Sequence, residues 1–507
     1  MKKIILLSVI VVILAGCSAA PLGTTYYDLE DLQEKIDEQF SDTLFAHAHW
    51  GVLIQSLNSG DVWYKRNEEK MFMPASNEKI LTSAAALLKL GPQFKFTTTL
   101  NYTGEIIDSV LNGDLIIVGD GDPTLYNKFY DEPTTLFKHW ADTLLQLGIK
   151  QINGNIIGDD NAFDDNHLGY GWAFDGLDAW YSAEVGALQL NENYLDLKFY
   201  PPLTASDTLI IIPNLVSDYY SIENNVEVVD TGRSRIRIDR PFGENKIIVS
   251  GKIVVGEEPF ERTPSITNPT MFYVTVLKET FKQNGLDITG TPLDCDNIEN
   301  YNFDSLKTKT ILVHKSPPLN EILKLLMKRS QNMYAETMVR TLGYKYEGLG
   351  SFKNGKKIVE ETLSRFGVEP GGYAFMDGSG LSRYNFVSPK QIIKILTGMW
   401  NGEYKEIWYD IQPVAGVDGT LKRRMKGTKA EGNVHAKTGT ISNVRGLSGY
   451  VKTSTGEDVV FSFLINGHLK TSRDTELITD KVLEFIAEFP YISDDLIVDK
   501  RKPADKL

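Results

Sequence analysis

Between residues 28 and 40 the apolar positions Leu29, Leu32, Ile36 and Phe40 recur at helical spacing on a charged background, which predicts a surface helix. Residues 50–57 and 62–65 then read as two strands of a hairpin turned at Asn58-Ser59-Gly60. An apolar helix over 80–90 follows and is stopped by Gly91-Pro92. From about residue 96 to 310 the pattern changes to short strands, at 97–102, 115–118, 209–212, 235–238 and 246–255, separated by turns rich in Asp, Asn and Gly. After Leu312 long apolar helices return over 319–327 and 333–342, then a strand pair over 447–451 and 459–465, then a closing helix over 475–489. Helix-rich ends around a strand-rich middle predict one domain interrupted by a large insertion. The 507 residues suit about three domains.

Composition narrows the class. With 42% apolar and 24% charged residues the chain is ordinarily globular, and its net charge of −14 argues against nucleic acid or an anionic membrane as main partner. The sequence holds neither a Gly-rich phosphate loop ending in Lys-Ser or Lys-Thr nor a His-Glu-x-x-His zinc site. His47 and His49 alternate beside a strand-like run, too weak a pattern to assign a metal. The Asp-rich stretch 159–166 lacks the glycine and terminal glutamate of an EF-hand loop, so neither metal nor other cofactor is expected. At the start, Lys2 and Lys3 precede an apolar run over 4–14 that is too short for a membrane span and reads as an export signal. It ends in Leu14-Ala15-Gly16-Cys17, which resembles the lipobox of bacterial lipoproteins; the resemblance implies removal of residues 1–16 and lipidation of Cys17. Ordinary signal cleavage around Ser18-Ala19-Ala20 is the alternative. The protein is expected in the periplasm or cell envelope. With Cys17 acylated, Cys295 has no intrachain partner for a disulfide.

Three short motifs carry chemistry. In Ser76-Asn77-Glu78-Lys79 a serine at a helix start faces a lysine one turn on; a neutral lysine takes the hydroxyl proton, and free helix-start N–H groups suit an oxyanion. Ser330-Gln331-Asn332 lies between two helices, and Lys437-Thr438-Gly439-Thr440 on a strand-like run. A lysine there supplies the second cation that keeps Lys79 neutral; Gly439 lets a substrate backbone approach, and Thr440 offers a hydroxyl and an N–H. Singly, each motif reads as well as an N-cap, a polar turn or a guarded edge strand.

Together, in this order, they resemble the set shared by β-lactamases and penicillin-binding proteins, with Gln331 in place of Asp. The long interval between Ser76 and Ser330 narrows the resemblance to the class C low-molecular-mass penicillin-binding proteins, D-alanyl-D-alanine carboxypeptidases and endopeptidases. Gly119-Asp120-Gly121-Asp122-Pro123, Asp377-Gly378-Ser379-Gly380-Leu381-Ser382-Arg383 and Pro413-Val414-Ala415-Gly416-Val417-Asp418-Gly419-Thr420 match that family's segments.

The resemblance implies a multidomain α/β chain: a penicillin-binding domain with an antiparallel sheet flanked by helices (24–96 and 316–507), a strand-rich inserted domain (97–121 and 198–315), and a second nested in it (122–197). It also implies hydrolysis of D-Ala-D-Ala bonds in peptidoglycan muropeptides, with β-lactams as covalent inhibitors. Catalysis falls to Ser76, Lys79, Ser330, Asn332 and Lys437, and the oxyanion hole to the N–H groups of Ser76 and Thr440. Substrate would be held by Thr438, Gly439, Thr440 and Arg383, with Asp159 and Phe163 reaching the cleft from the insertion to meet a diamino acid side chain. A β-lactamase or esterase on the same fold, and an idle peptidoglycan-binding lipoprotein, are the alternatives.

Overall fold

The computed structural model describes residues 28–491, so Cys17, the export signal and the charged tail lie outside the described residues. The two ends of the chain build one antiparallel sheet in the order His435–Ile441, Val444–Lys452, Asp458–Asn466, His49–Ser56, Val62–Arg66. Its central strands are apolar on both faces because each face has its own core. From Asp458–Asn466, Val459, Phe461, Phe463 and Ile465 pack toward helices Leu29–Phe40 and Ser472–Glu488. Val460 and Leu464 enter the other core with helices Glu78–Leu90, Leu319–Arg329, Asn332–Glu347 and Pro389–Trp400. Alternation of side chains along a strand divides a single apolar run between two layers.

The insertion has a separate core, in which helices Thr135–Gln146 and Pro269–Gln283 bury Phe137, Trp140, Phe272 and Phe281. Its main sheet runs Pro292–Asp294, Ile156–Asp159, Leu115–Gly119, Thr97–Tyr102, Lys309–Lys315. The pairings of Ile156–Asp159 with Leu115–Gly119 and with Pro292–Asp294 are parallel. Parallel neighbours need a crossover, which helices Thr135–Gln146 and Pro269–Gln283 supply.

The strand pairing bears on the expected nested unit over 122–197. The strand Ile156–Asp159 sits inside the main inserted sheet, whereas Leu197–Tyr200, Ile210–Pro213 and Phe260–Arg262 pair with one another, as do Ser221–Val229, Arg235–Asp239 and Lys246–Val254. A four-residue buried strand takes its neighbours from the tertiary fold, which local pattern does not encode. We propose 197–262 as the nested unit.

Candidate active site

The first motif opens on strained backbone. Ala75 has φ 48°, a left-handed value unusual for a residue with a Cβ, and the chain passes through a 3₁₀ turn, Ala75–Asn77, into the helix Glu78–Leu90. Three glycines from distant segments hold this turn. A Cβ on Gly439 would lie 2.5 Å from the Pro74 carbonyl oxygen and 2.7 Å from Asn77 Nδ2. A Cβ on Gly446 would strike Asn77 Nδ2, and one on Gly380 would overlap the Ala75 carbonyl. Gly439 lines the cleft, as expected of a residue that lets substrate approach, and the absence of a Cβ also lets the strand His435–Ile441 close on the Ser76 turn. Gly439→Ala should lower stability by about 1–3 kcal/mol and slow acylation by a labelled penicillin, read by thermal melting and by the labelling rate. Unchanged values for both would refute this account of the contact.

Strand, turn and the joint between two helices bring the motifs together. Lys79 Nζ donates to Ser76 Oγ at 3.0 Å, to Asn332 Oδ1 at 2.7 Å and to the Ser379 carbonyl at 2.6 Å. Lys437 Nζ donates to Ser330 Oγ at 2.7 Å and to the Thr438 carbonyl at 2.8 Å. Ser330 is the C-cap of Leu319–Arg329, in left-handed conformation at φ 60°, and Gln331 caps Asn332–Glu347. Asn332 Nδ2 in turn donates to the Tyr181 carbonyl at 2.7 Å, tying the site to the insertion.

Both lysines are fully buried. Burial pulls Lys79 down to about 7, against the carboxylates of Asp377, Glu336 and Glu78, which act to raise it. Lys437 lies well below the usual lysine range, through burial first and the charge at Lys79 second. Loss of water makes Lys79 a base near neutrality, while Lys437, expected as the second cation, is itself pulled down by burial.

A further loop completes the walls. The Asp377 carboxylate accepts from the N–H groups of Gly380 at 2.7 Å and Ser382 at 2.6 Å, from Asn385 Nδ2 at 2.6 Å and from Trp172 Nε1 at 2.9 Å. Folded around it, the loop points the Ser379 carbonyl at Lys79 and carries Arg383 to the opening, where its guanidinium donates to the Ser442 carbonyl at 3.2 Å. Thr438 Oγ1 donates to Thr420 Oγ1 at 2.8 Å, and Thr440 is exposed. The resulting cleft, about 990 Å³, is lined by Ser76, Ser330, Asn332, Arg383, Thr438, Gly439 and Thr440.

Residues 32–488 match the D-Ala-D-Ala carboxypeptidase 3 (S13) family. The chain belongs to this family. It is a serine-type carboxypeptidase, 31% identical over 479 residues to a D-alanyl-D-alanine carboxypeptidase of Actinomadura sp., an alignment covering 90% of this chain and 84% of that one. Among solved structures it resembles penicillin binding protein 4 of Haemophilus influenzae, with TM-score 0.77 and 26% identity over 92% of this chain and all of that one. The same protein complexed with a β-lactam matches with TM-score 0.70 and 25% identity. The fold is thus that of a multidomain penicillin-binding protein. Residues 1–18 of the carboxypeptidase match a prokaryotic membrane lipoprotein lipid attachment site.

Two expected site residues of the carboxypeptidase lie elsewhere. Asp159 is buried in the inserted sheet, accepting from the Tyr301 hydroxyl at 2.9 Å, and Phe163 is buried against Gly121 and Gly350. Neither lines the cleft. The insertion reaches it instead through a later segment that contributes Asp175, Trp180 and Tyr181. This segment is anchored by the Trp172–Asp377 and Tyr181–Asn332 bonds. In the sequence this segment is marked by its aromatic residues Tyr170, Trp172, Phe174, Trp180 and Tyr181.

Proposed function

We propose that this chain cleaves D-Ala-D-Ala bonds of peptidoglycan stem peptides, and D-Ala cross-links to a diamino acid, through an acyl-enzyme on Ser76. The observation that carries the reading is Lys79 Nζ, a buried base titrating at about 7, 3.0 Å from Ser76 Oγ. Ser76 attacks the carbonyl carbon of the penultimate D-Ala while Lys79 takes its proton. The oxyanion is met by the N–H groups of Ser76 and Thr440, each worth about 3 kcal/mol. As the C–N bond breaks, the proton passes through Ser330, held by Lys437, to the departing amine. Asn332 orients Lys79 and the substrate amide; Thr438 and Thr440, with Lys437 nearby, receive the terminal carboxylate, and Arg383 contacts the substrate backbone or side chain. Water then hydrolyses the ester and all groups return to their starting state. β-Lactams acylate Ser76 because their ring amide mimics the scissile bond. The protein works in the periplasm, held to a membrane through lipid on Cys17.

Products from pentapeptide and cross-linked muropeptides, identified by mass, test the reading. Loss of one D-Ala supports carboxypeptidase action, loss of the cross-link endopeptidase action, and neither product would overturn the proposal. We assign to Asp175 the role expected of Asp159, pairing with the side-chain amine of the diamino acid. Asp175→Asn should raise KM about tenfold for a stem peptide bearing that amine and leave one without it unchanged. Equal effects on both peptides would reject the assignment.

A further inference from the structure

The insertion touches the second motif through an unusual turn. Asn191, Glu192 and Asn193 have φ of 52°, 54° and 54°, three left-handed residues in succession, none a glycine. Asparagine tolerates this conformation through local hydrogen bonds, whereas glutamate gains nothing from it. The asparagines make those bonds. Asn191 Nδ2 donates to the Tyr194 carbonyl at 2.6 Å, and Asn193 Nδ2 to the Glu184 carbonyl at 2.8 Å.

The strained turn delivers the Glu192 side chain, 1% exposed, across the boundary into the catalytic half. There Oε1 accepts from Arg329 Nη1 at 2.9 Å, and Oε2 from Gln331 Nε2 at 2.5 Å and from the Tyr194 hydroxyl. Arg329 and Gln331 are the residues on either side of Ser330, itself left-handed at φ 60°. One buried carboxylate thus clamps both flanks of the serine whose hydroxyl faces Lys437. It also accounts for Gln331 in the motif. An aspartate there would set a second anion against Glu192, while the amide donates to it.

We propose that Glu192 is a positioning residue that fixes Ser330 for proton delivery to the leaving amine. The inference rests on the role given to Ser330 above. A misplaced donor slows a step that needs its proton and spares one that does not. The test compares an acyl-D-Ala-D-Ala amide with a thioester analogue, whose C–S bond breaks to release a thiolate needing no proton. Both rates are normalised to the sites titrated at completion by a labelled penicillin, so that any misfolded fraction drops out.

Glu192→Gln should lower kcat on the amide about 10- to 100-fold with KM little changed, and alter the thioester rate less than about twofold. Gln331→Met, which removes the contact from the other side, should show the same preference. Glu192→Gln combined with Gln331→Glu, which reverses donor and acceptor, should recover part of the amide rate. Ser330→Ala is run beside them. A differential in Ser330→Ala but in neither Glu192→Gln nor Gln331→Met overturns the role of Glu192; its absence in Ser330→Ala overturns the role of Ser330 on which it rests.

Discussion

Ser76→Ala should abolish covalent attachment of a labelled penicillin and lower D-Ala release by about four orders of magnitude or more, as removal of a serine nucleophile does elsewhere. The expectation follows from geometry. Ser76 Oγ is the hydroxyl held 3.0 Å from Lys79 Nζ at the mouth of the cleft, while the hydroxyl of Ser330 is engaged by Lys437. The fold should tolerate the change. Lys79 keeps Asn332 and the Ser379 carbonyl as acceptors, and the left-handed backbone at Ala75 depends on Gly439 and Gly380, not on the serine side chain. The melting temperature should therefore move by no more than the loss of one hydrogen bond, about 1 kcal/mol. Residual binding of stem peptide through the Thr438 strand and Arg383 should persist, separating lost chemistry from lost recognition. A stable penicillin adduct on the Ser76→Ala protein would place the nucleophile elsewhere and remove the basis of the mechanism.

What the sequence revealed and what it hid divide along the range of the interactions. Ser76 and Lys79 share one helix turn, so their juxtaposition follows from spacing alone, as does the apolar face of Leu29–Phe40. The convergence of Ser330 and Lys437 on that turn is a long-range fact, legible only because three motifs appeared in a recognisable order. The close approach of Gly439 to the Pro74 carbonyl, hundreds of residues away in the chain, is not legible in the sequence. The place of Ile156–Asp159 between Leu115–Gly119 and Pro292–Asp294 is likewise not legible in the sequence, because a short buried strand carries no mark of its partners. Asp159 is expected at the cleft only through the family resemblance, and in the fold its carboxylate accepts from Tyr301 inside the sheet. Glu192 gave no signal at all: its significance depends on a backbone conformation that side-chain pattern does not predict.

Acylation should rise about tenfold per pH unit below neutrality and level off above about pH 7, because only the neutral amine of Lys79 removes the Ser76 proton. The sign is set by burial, which favours the uncharged form and brings Lys79 from the usual lysine range down to about 7. Three carboxyl groups face it. Glu78 is fully buried and held well above the usual carboxylate range, Glu336 titrates at about 7, and Asp377 is bound by its loop. Each, when ionised, favours the proton on Lys79 and acts to raise the limb. Glu336→Gln removes one of these anions and should move the limb to lower pH, whereas a limb belonging to substrate ionisation would stay in place. Lys79→Arg keeps a cation beside Asn332 but cannot shed its proton in this range, and should lower the acylation rate by about 10²- to 10⁴-fold without restoring a limb near pH 7. If Lys79→Arg acylates at the native rate, or if the native rate falls rather than rises between pH 6 and 8, the base is not Lys79, and the three motifs meet around some other chemistry.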